Sequence, residues 1–204
     1  MGSEKNRTSH IRIQLLTSHI TLPNMDKELI SSVINGMATL TLVAQVFLGI
    51  FVIIFFFGTL TKSNKPVKKI IQTLSSNSLA FAFLVSVVAT LGSLFLSEVA
   101  HFIPCKLCWF QRIFMYPQVL LLGIATFKND FGVRKYAIAL SIIGAAIAIY
   151  HYLLQMSPIP LPCTDEVANC AAKQFASFGY ITIPMMALTA FLLIIFFVLL
   201  SKKK

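Results

Sequence analysis

The sequence predicts an all-α integral membrane protein, and three observations carry that expectation. The chain of 204 residues is 57% hydrophobic and only 12% charged, with a mean hydropathy of +0.81. A soluble domain of this size rarely combines so little charge with 18 phenylalanines. The apolar residues also fall into five uncharged stretches, to be set against the roughly 20 residues of helix that a bilayer asks for. No run alternates as a membrane β-strand would.

The elements follow in chain order. Residues 1–28 form an N-terminal tail. Leu29–Leu60 is the first span, and with the basic loop after it makes a segment over 29–66. The remaining spans fill 67–204. Ile70–Ser97 is the second. Ile113–Phe127 is the third; alone it gives about 22 Å of helix, so the helix must start near Leu107. Tyr136–Ser157 is the fourth and Phe178–Ser201 the fifth.

Charge orients the spans. Lys62, Lys65, Lys68 and Lys69 form one loop; Lys128, Arg134 and Lys135 dominate another; Lys202, Lys203 and Lys204 end the sequence. These segments share one side, and the positive-inside rule makes it the cytoplasm. The formal net charge of +10 is therefore topology-setting, not a nucleic-acid surface. Segments 98–112 and 158–177 face outward, and all four cysteines lie there, on the oxidising side of a bacterial membrane. With five spans the N-terminus also lies outside, although it carries Lys5, Arg7, Arg12 and Lys27. A start at Met25 would leave only a short tail to cross; the first 28 residues lack a signal-peptide form.

The chemistry concentrates in Cys105-Lys-Leu-Cys108-Trp-Phe-Gln-Arg112 and in Cys163 with Cys170. A Cys-x-x-Cys pair can close a small disulfide ring or act as a low-pKa dithiol. With the third helix beginning inside the pair, Cys108 falls in its first turn. Helix N–H groups and Arg112, four residues on, then favour a thiolate. A purely structural disulfide would staple little that the helix does not already hold. A four-cysteine zinc site is the other reading, but zinc ribbons repeat Cys-x-x-Cys, whereas the second pair has six residues between its cysteines; no metal is expected. An arginine inside a membrane helix needs a partner or a route to the headgroups. Arg112 either snorkels or donates to a quinone carbonyl or an anionic intermediate. His151 and Gln155 share one face near the outer end of the fourth helix; a lone His beside Tyr is more often a core or interfacial residue than a ligand. Trp109 and Phe110 read as interface anchors.

At these residues the chain resembles the DsbB family of quinone-dependent thiol oxidoreductases, and most closely its shorter BdbC-like branch. The carrying motifs are Pro104-Cys-Lys-Leu-Cys-Trp-Phe-Gln-Arg-Ile-Phe-Met-Tyr-Pro117, His151-x-x-Leu-Gln155-x-x-Pro158-x-Pro160, Pro162-Cys163, and Phe178-Gly-Tyr-Ile-Thr-Ile-Pro184. The resemblance covers roughly 78–200. It implies a four-helix transmembrane bundle, to which Leu29–Leu60 adds one N-terminal helix. It also implies a relay. A thioredoxin-fold oxidase of the DsbA or BdbD type forms a mixed disulfide with Cys163, and Cys170 leaves. Cys105 then exchanges with Cys170 and frees Cys108. Cys108 donates to a quinone, menaquinone or ubiquinone, held near Arg112, His151 and Gln155. The implied location is the bacterial inner membrane, with the bilayer and its quinone pool as further partners. Vitamin K epoxide reductase-like proteins place the pairs in the reverse order. The rival class is a non-catalytic membrane assembly protein with two structural disulfides; a transporter would need polar residues at mid-membrane.

Overall fold

The computed structural model describes residues 27–54, 72, 74–157 and 170–201. The basic loop at 62–69, Met25, Cys163, the prolines at 158, 160 and 162, and the final three lysines lie outside the described residues. Five helices are long and apolar enough to cross a membrane. They are α1 over Lys27–Ile54, α2 over Ser78–Leu94 with a π-helical turn at Phe95–Val99, α3 over Lys106–Lys128, α4 over Arg134–Met156 and α5 over Ile183–Leu200. A 3₁₀ turn, Phe131–Val133, leads into α4. The only extended pairing among the described residues is an isolated bridge between Ser177 and Ile181.

Local chemistry sets the helix ends where hydropathy alone is blind. In the second span the long helix begins at Ser78; residues 72 and 74–76 are also helical, and the chain turns at Asn77 between the two. At this turn Ser78 Oγ donates to the local Ser75 carbonyl at 3.0 Å. Ser75 Oγ also donates to the Leu200 carbonyl at 2.7 Å, which caps the open end of α5. The third helix starts inside the cysteine pair, as expected, with Cys105 in extended conformation at its N-cap. It stops at Asn129, whose φ of 51° is the left-handed cap geometry that asparagine tolerates. In the fifth span the helix starts at Ile183 because Phe178 and Gly179 both take positive φ and turn the chain. Thr182 is then the N-cap, and Pro184 sits in the first turn, where its missing N–H costs nothing.

Helices α2 to α5 form a ring in which each packs on its sequence neighbour and α5 closes on α2. This is the expected four-helix bundle. Its core holds Leu79, Ala82, Leu122, Ala137, Phe191 and Ile194. The outward faces are equally apolar: Leu120 is 71% and Phe127 82% exposed, which only a lipid solvent accommodates. Polar pairs link helices in the interior. Gln118 is fully buried; its amide donates to the Phe114 carbonyl at 2.9 Å and its oxygen accepts from Ser141 Oγ at 3.0 Å, tying α3 to α4.

The chain divides into two compact units, 1–37 and 38–204. The described part of the first is the opening of α1. From residue 38 onward, α1 belongs with the bundle. Phe47 and Phe51 meet Phe196 edge-on at 5.9 and 4.5 Å. Gln45 donates to Thr189 Oγ1 at 3.0 Å and accepts from the Tyr180 hydroxyl at 2.8 Å. A single amide thus fastens the added helix to both α5 and the turn before it.

The tightest approach in the core is Gly144 of α4 against the Phe191 ring, where a Cβ would overlap the ring. Phe191 is fully buried and has nowhere to swing. Gly144→Ala is therefore expected to destabilise the bundle by about 1–3 kcal/mol. Thermal unfolding in detergent should show a lowered midpoint; an unchanged midpoint would contradict the packing described.

Candidate functional site

The site assembles at one end of the bundle, where α3 begins, α4 ends and the segment before α5 folds over. Cys105 is the N-cap of α3, and the Trp109 N–H donates to its carbonyl at 3.1 Å. Cys108 lies in the first turn. The two sulfurs are 3.4 Å apart and hydrogen-bonded, and both are free thiols. Cys170 is disulfide-bonded and buried. Its expected partner, Cys163, lies outside the described residues.

The bundle brings one cysteine of each pair together. Cys105, Cys170 and Leu154 form one buried cluster, flanked by Leu107 and Cys108. His151, 2% exposed, stands between them. Its Nε2 is 3.7 Å from Cys105 Sγ and 3.2 Å from the Cys170 carbonyl oxygen. Its Nδ1 is 3.1 Å from Gln111 Nε2. The tautomer follows from these partners. A carbonyl can only accept, so Nε2 carries the hydrogen; Nδ1 then has a lone pair and accepts from the Gln111 amide.

The electrostatics favour a charged Cys105. The Cys108 thiol beside it pulls its pKa down from the ordinary thiol value of 9.0 to about 4; burial opposes this, and His151 and the Cys108 backbone N–H reinforce it. The expectation from sequence put the thiolate at Cys108, beside Arg112. The hydrogen bonds of Arg112 go to α2. Its Nε donates to Ser93 Oγ and its NH2 group to the Ser93 carbonyl, both at 3.0 Å, and its guanidinium lies 5.3 Å from the Trp109 ring centroid. Tyr116 donates to the same Ser93 hydroxyl at 3.3 Å. This is the partnered arginine that an apolar helix requires, at the seam of α2 and α3.

A cleft opens beside the cysteines. Cys105, Cys108, His151, Gln155, Cys170 and Thr182 all line it, with Ile103, Phe175 and Ile183 as apolar walls; Arg112 is not among the lining residues. Gln155 donates to the Ala172 carbonyl at 3.4 Å. Its Oε1 and the Thr182 hydroxyl are buried without a hydrogen-bond partner. At the cleft, Thr182 thus offers an unused donor and Gln155 an unused acceptor, the groups that an oxygen-bearing ligand would need.

Six of the seven residues singled out in the sequence lie within the described structure. Cys105, Cys108, Cys170, His151 and Gln155 converge on the cleft, and Arg112 stands at the α2–α3 seam. Sequence reasoning assigned no role to Gln111, Thr182 or Ser93. Gln111 did leave a signal: it is a buried amide in an apolar helix, three residues after Cys108, and such a group needs a partner inside the protein.

Comparison with known proteins places these residues in a recognised context. The sequence pattern of the family described as "Disulfide bond formation protein DsbB" matches residues 75–201. The chain is 52% identical over 124 residues to "Disulfide bond formation protein C" of Bacillus subtilis (strain 168), covering 59% of this chain and 89% of the relative. It is 42% identical over 135 residues to a "Probable disulfide formation protein" of Coxiella burnetii (strain CbuK_Q154), covering 65% and 92%. No solved structure matches the chain.

The Cys105 environment has a direct consequence in solution. Titrated by thiolate ultraviolet absorbance, the protein is expected to keep a thiolate down to about pH 4, and Cys105→Ala should lose it. Loss of all thiolate absorbance near neutral pH, as for ordinary thiols, would contradict the site described.

Proposed function

The chain belongs to the DsbB family, and we propose that it carries electrons from a thioredoxin-fold thiol oxidase, of the DsbA or BdbD type, through two cysteine pairs to a membrane quinone. A role in disulfide bond formation within a multi-pass membrane protein follows from the family and the five apolar helices. One observation carries the finer reading: Cys105 and Cys170, from different pairs, share a buried cluster with His151 against both.

The exchanges balance in bonds and electrons. The partner's thiolate attacks Cys163, an S–S bond forms as the Cys163–Cys170 bond breaks, and Cys170 leaves as a thiolate. Cys170 then attacks Cys105 of an oxidised Cys105–Cys108 disulfide, and Cys108 leaves. The partner's second thiol closes the partner's own disulfide and releases Cys163. Cys163 then displaces Cys105 and restores the loop disulfide. One partner dithiol has become a disulfide, and Cys105 and Cys108 hold the two electrons as a dithiol. The Nε2–H of His151 is placed to hydrogen-bond the sulfur of Cys105 as it departs as a thiolate, and Gln111 holds the ring in the tautomer this needs.

A bound quinone supplies the acceptor for those two electrons and two protons. Thr182, Gln155 and His151 are the residues we assign to holding it in the cleft. Arg112, one turn from Cys108, borders the same end of α3 from its Ser93 anchor. The basic segments orient the cysteine end to the outer face of a bacterial inner membrane. The structural-disulfide alternative is disfavoured because Cys105 and Cys108 line a cleft beside the second pair that holds partly unsatisfied polar groups.

The test mixes purified protein in detergent with a reduced DsbA-type oxidase and a soluble quinone analogue. Partner thiols and quinone should disappear in equal two-electron amounts. Cys108→Ser should abolish quinone reduction while leaving exchange at the loop pair. Unchanged quinone turnover in that variant, or a loop disulfide that resists the reduced partner, would overturn the relay.

A further inference from the structure

We infer that the reduced Cys105–Cys108 pair and His151 form a binding site for a thiophilic divalent ion, of which zinc(II) is the type, and that this site exists only while the pair is reduced. The inference goes beyond the relay and needs neither the quinone nor the partner.

Geometry carries it. The two sulfurs and one nitrogen of His151 all lie within 4.8 Å of one another. A tetrahedral zinc ion, with bonds of about 2.3 Å to sulfur and about 2.0–2.1 Å to nitrogen, sets its ligands about 3.8 Å apart for S···S and about 3.6 Å for S···N. The observed separations are 3.4 Å between the sulfurs and 3.7 Å from Cys105 Sγ to His151 Nε2. Those two separations need only a few tenths of an ångström of adjustment, and the third, from Cys108 Sγ to the ring, lies within 4.8 Å. Two thiolates and an imidazole are also the ligand types that zinc selects over magnesium or calcium.

The surroundings complete the site. His151 is buried, so its ring is held in place. Binding through Nε2 moves the ring proton to Nδ1, and rotation of the Gln111 amide then offers Oε1 to accept it. This is the outer-shell support that metal-bound histidines receive. The cleft leaves a fourth position for water. The set differs from the four-cysteine arrangement considered from sequence: Cys170 is disulfide-bonded and has no thiolate to give. Binding releases the remaining thiol protons and involves no change of oxidation state. Oxidation of Cys105 and Cys108 to a disulfide removes both sulfur ligands, so a bound ion and an oxidised pair exclude each other. The ion would hold the pair reduced.

The experiment is zinc titration of the full chain in detergent, oxidised and reduced, with cobalt(II) as an absorbing substitute. Reduced protein should bind one ion with a thiolate-to-cobalt charge-transfer band, and oxidised protein should bind none at this site. Reduction also opens the loop pair, so the titration is repeated on Cys163→Ser/Cys170→Ser, which should bind within about threefold of the reduced native chain. Gln111→Leu should weaken binding about 10- to 100-fold, and His151→Ala by more. Equal affinity of oxidised and reduced native protein, which requires no variant to fold, would overturn the inference. So would zinc binding that survives Cys105→Ser/Cys108→Ser but vanishes with the loop pair.

Discussion

A bilayer offers no hydrogen bonds, so an imidazole sunk between apolar helices must find its partners within the protein. His151 finds three: the Gln111 amide at Nδ1, and at Nε2 the Cys170 carbonyl and the Cys105 sulfur. Those contacts join α3, α4 and the segment before α5 at one point. They also fix the ring's tautomer and bring the two cysteine pairs side by side. The low pKa of Cys105, the shared cluster with Cys170 and the three-ligand set at the dithiol all depend on this ring staying where it is.

The rest of the bundle serves that junction. Ring packing of α2 to α5 leaves the outer ends of α3 and α4 adjacent, and Gln118 with Ser141 holds the same pair of helices deeper down. Phe191 seated on Gly144 sets how closely α5 can approach α4. Arg112 ties α3 to α2 through Ser93. The added helix α1 lies outside the residues that match the family pattern. It reaches the junction indirectly: Gln45 holds Tyr180, two residues before Thr182, which lines the cleft and whose buried hydroxyl has no partner.

Much of this was legible in the sequence, and for physical reasons. Uncharged runs of membrane length leave few alternatives, so five helices could be counted and the start of the third placed inside the cysteine pair. His151 and Gln155, four apart, share a helical face wherever the helix packs. Other features depend on neighbours that one strand of sequence does not reveal. Arg112 shares a helical face with Cys108, yet its long side chain reaches across to Ser93, and only the placement of α2 decides that. The thiolate was expected on Cys108 from helix position; the sulfur–sulfur contact and His151 make Cys105 a second place for it, which helix position does not reveal. The last helix begins five residues later than hydropathy implies, because Phe178 and Gly179 turn the backbone with positive φ while remaining apolar in composition. Gln111 was visible but unassigned, since its partner lies forty residues away.

The central claim is that electrons pass between the pairs directly, from Cys170 to Cys105. The most direct measurement uses a variant in which Cys108 and Cys163 are both alanine, so that Cys105 and Cys170 are the only cysteines left. After mild oxidation, peptide mapping by mass spectrometry should find an intramolecular Cys105–Cys170 disulfide in monomeric protein. Persistence of two free thiols, or oxidation only into cross-linked dimers, would contradict the account.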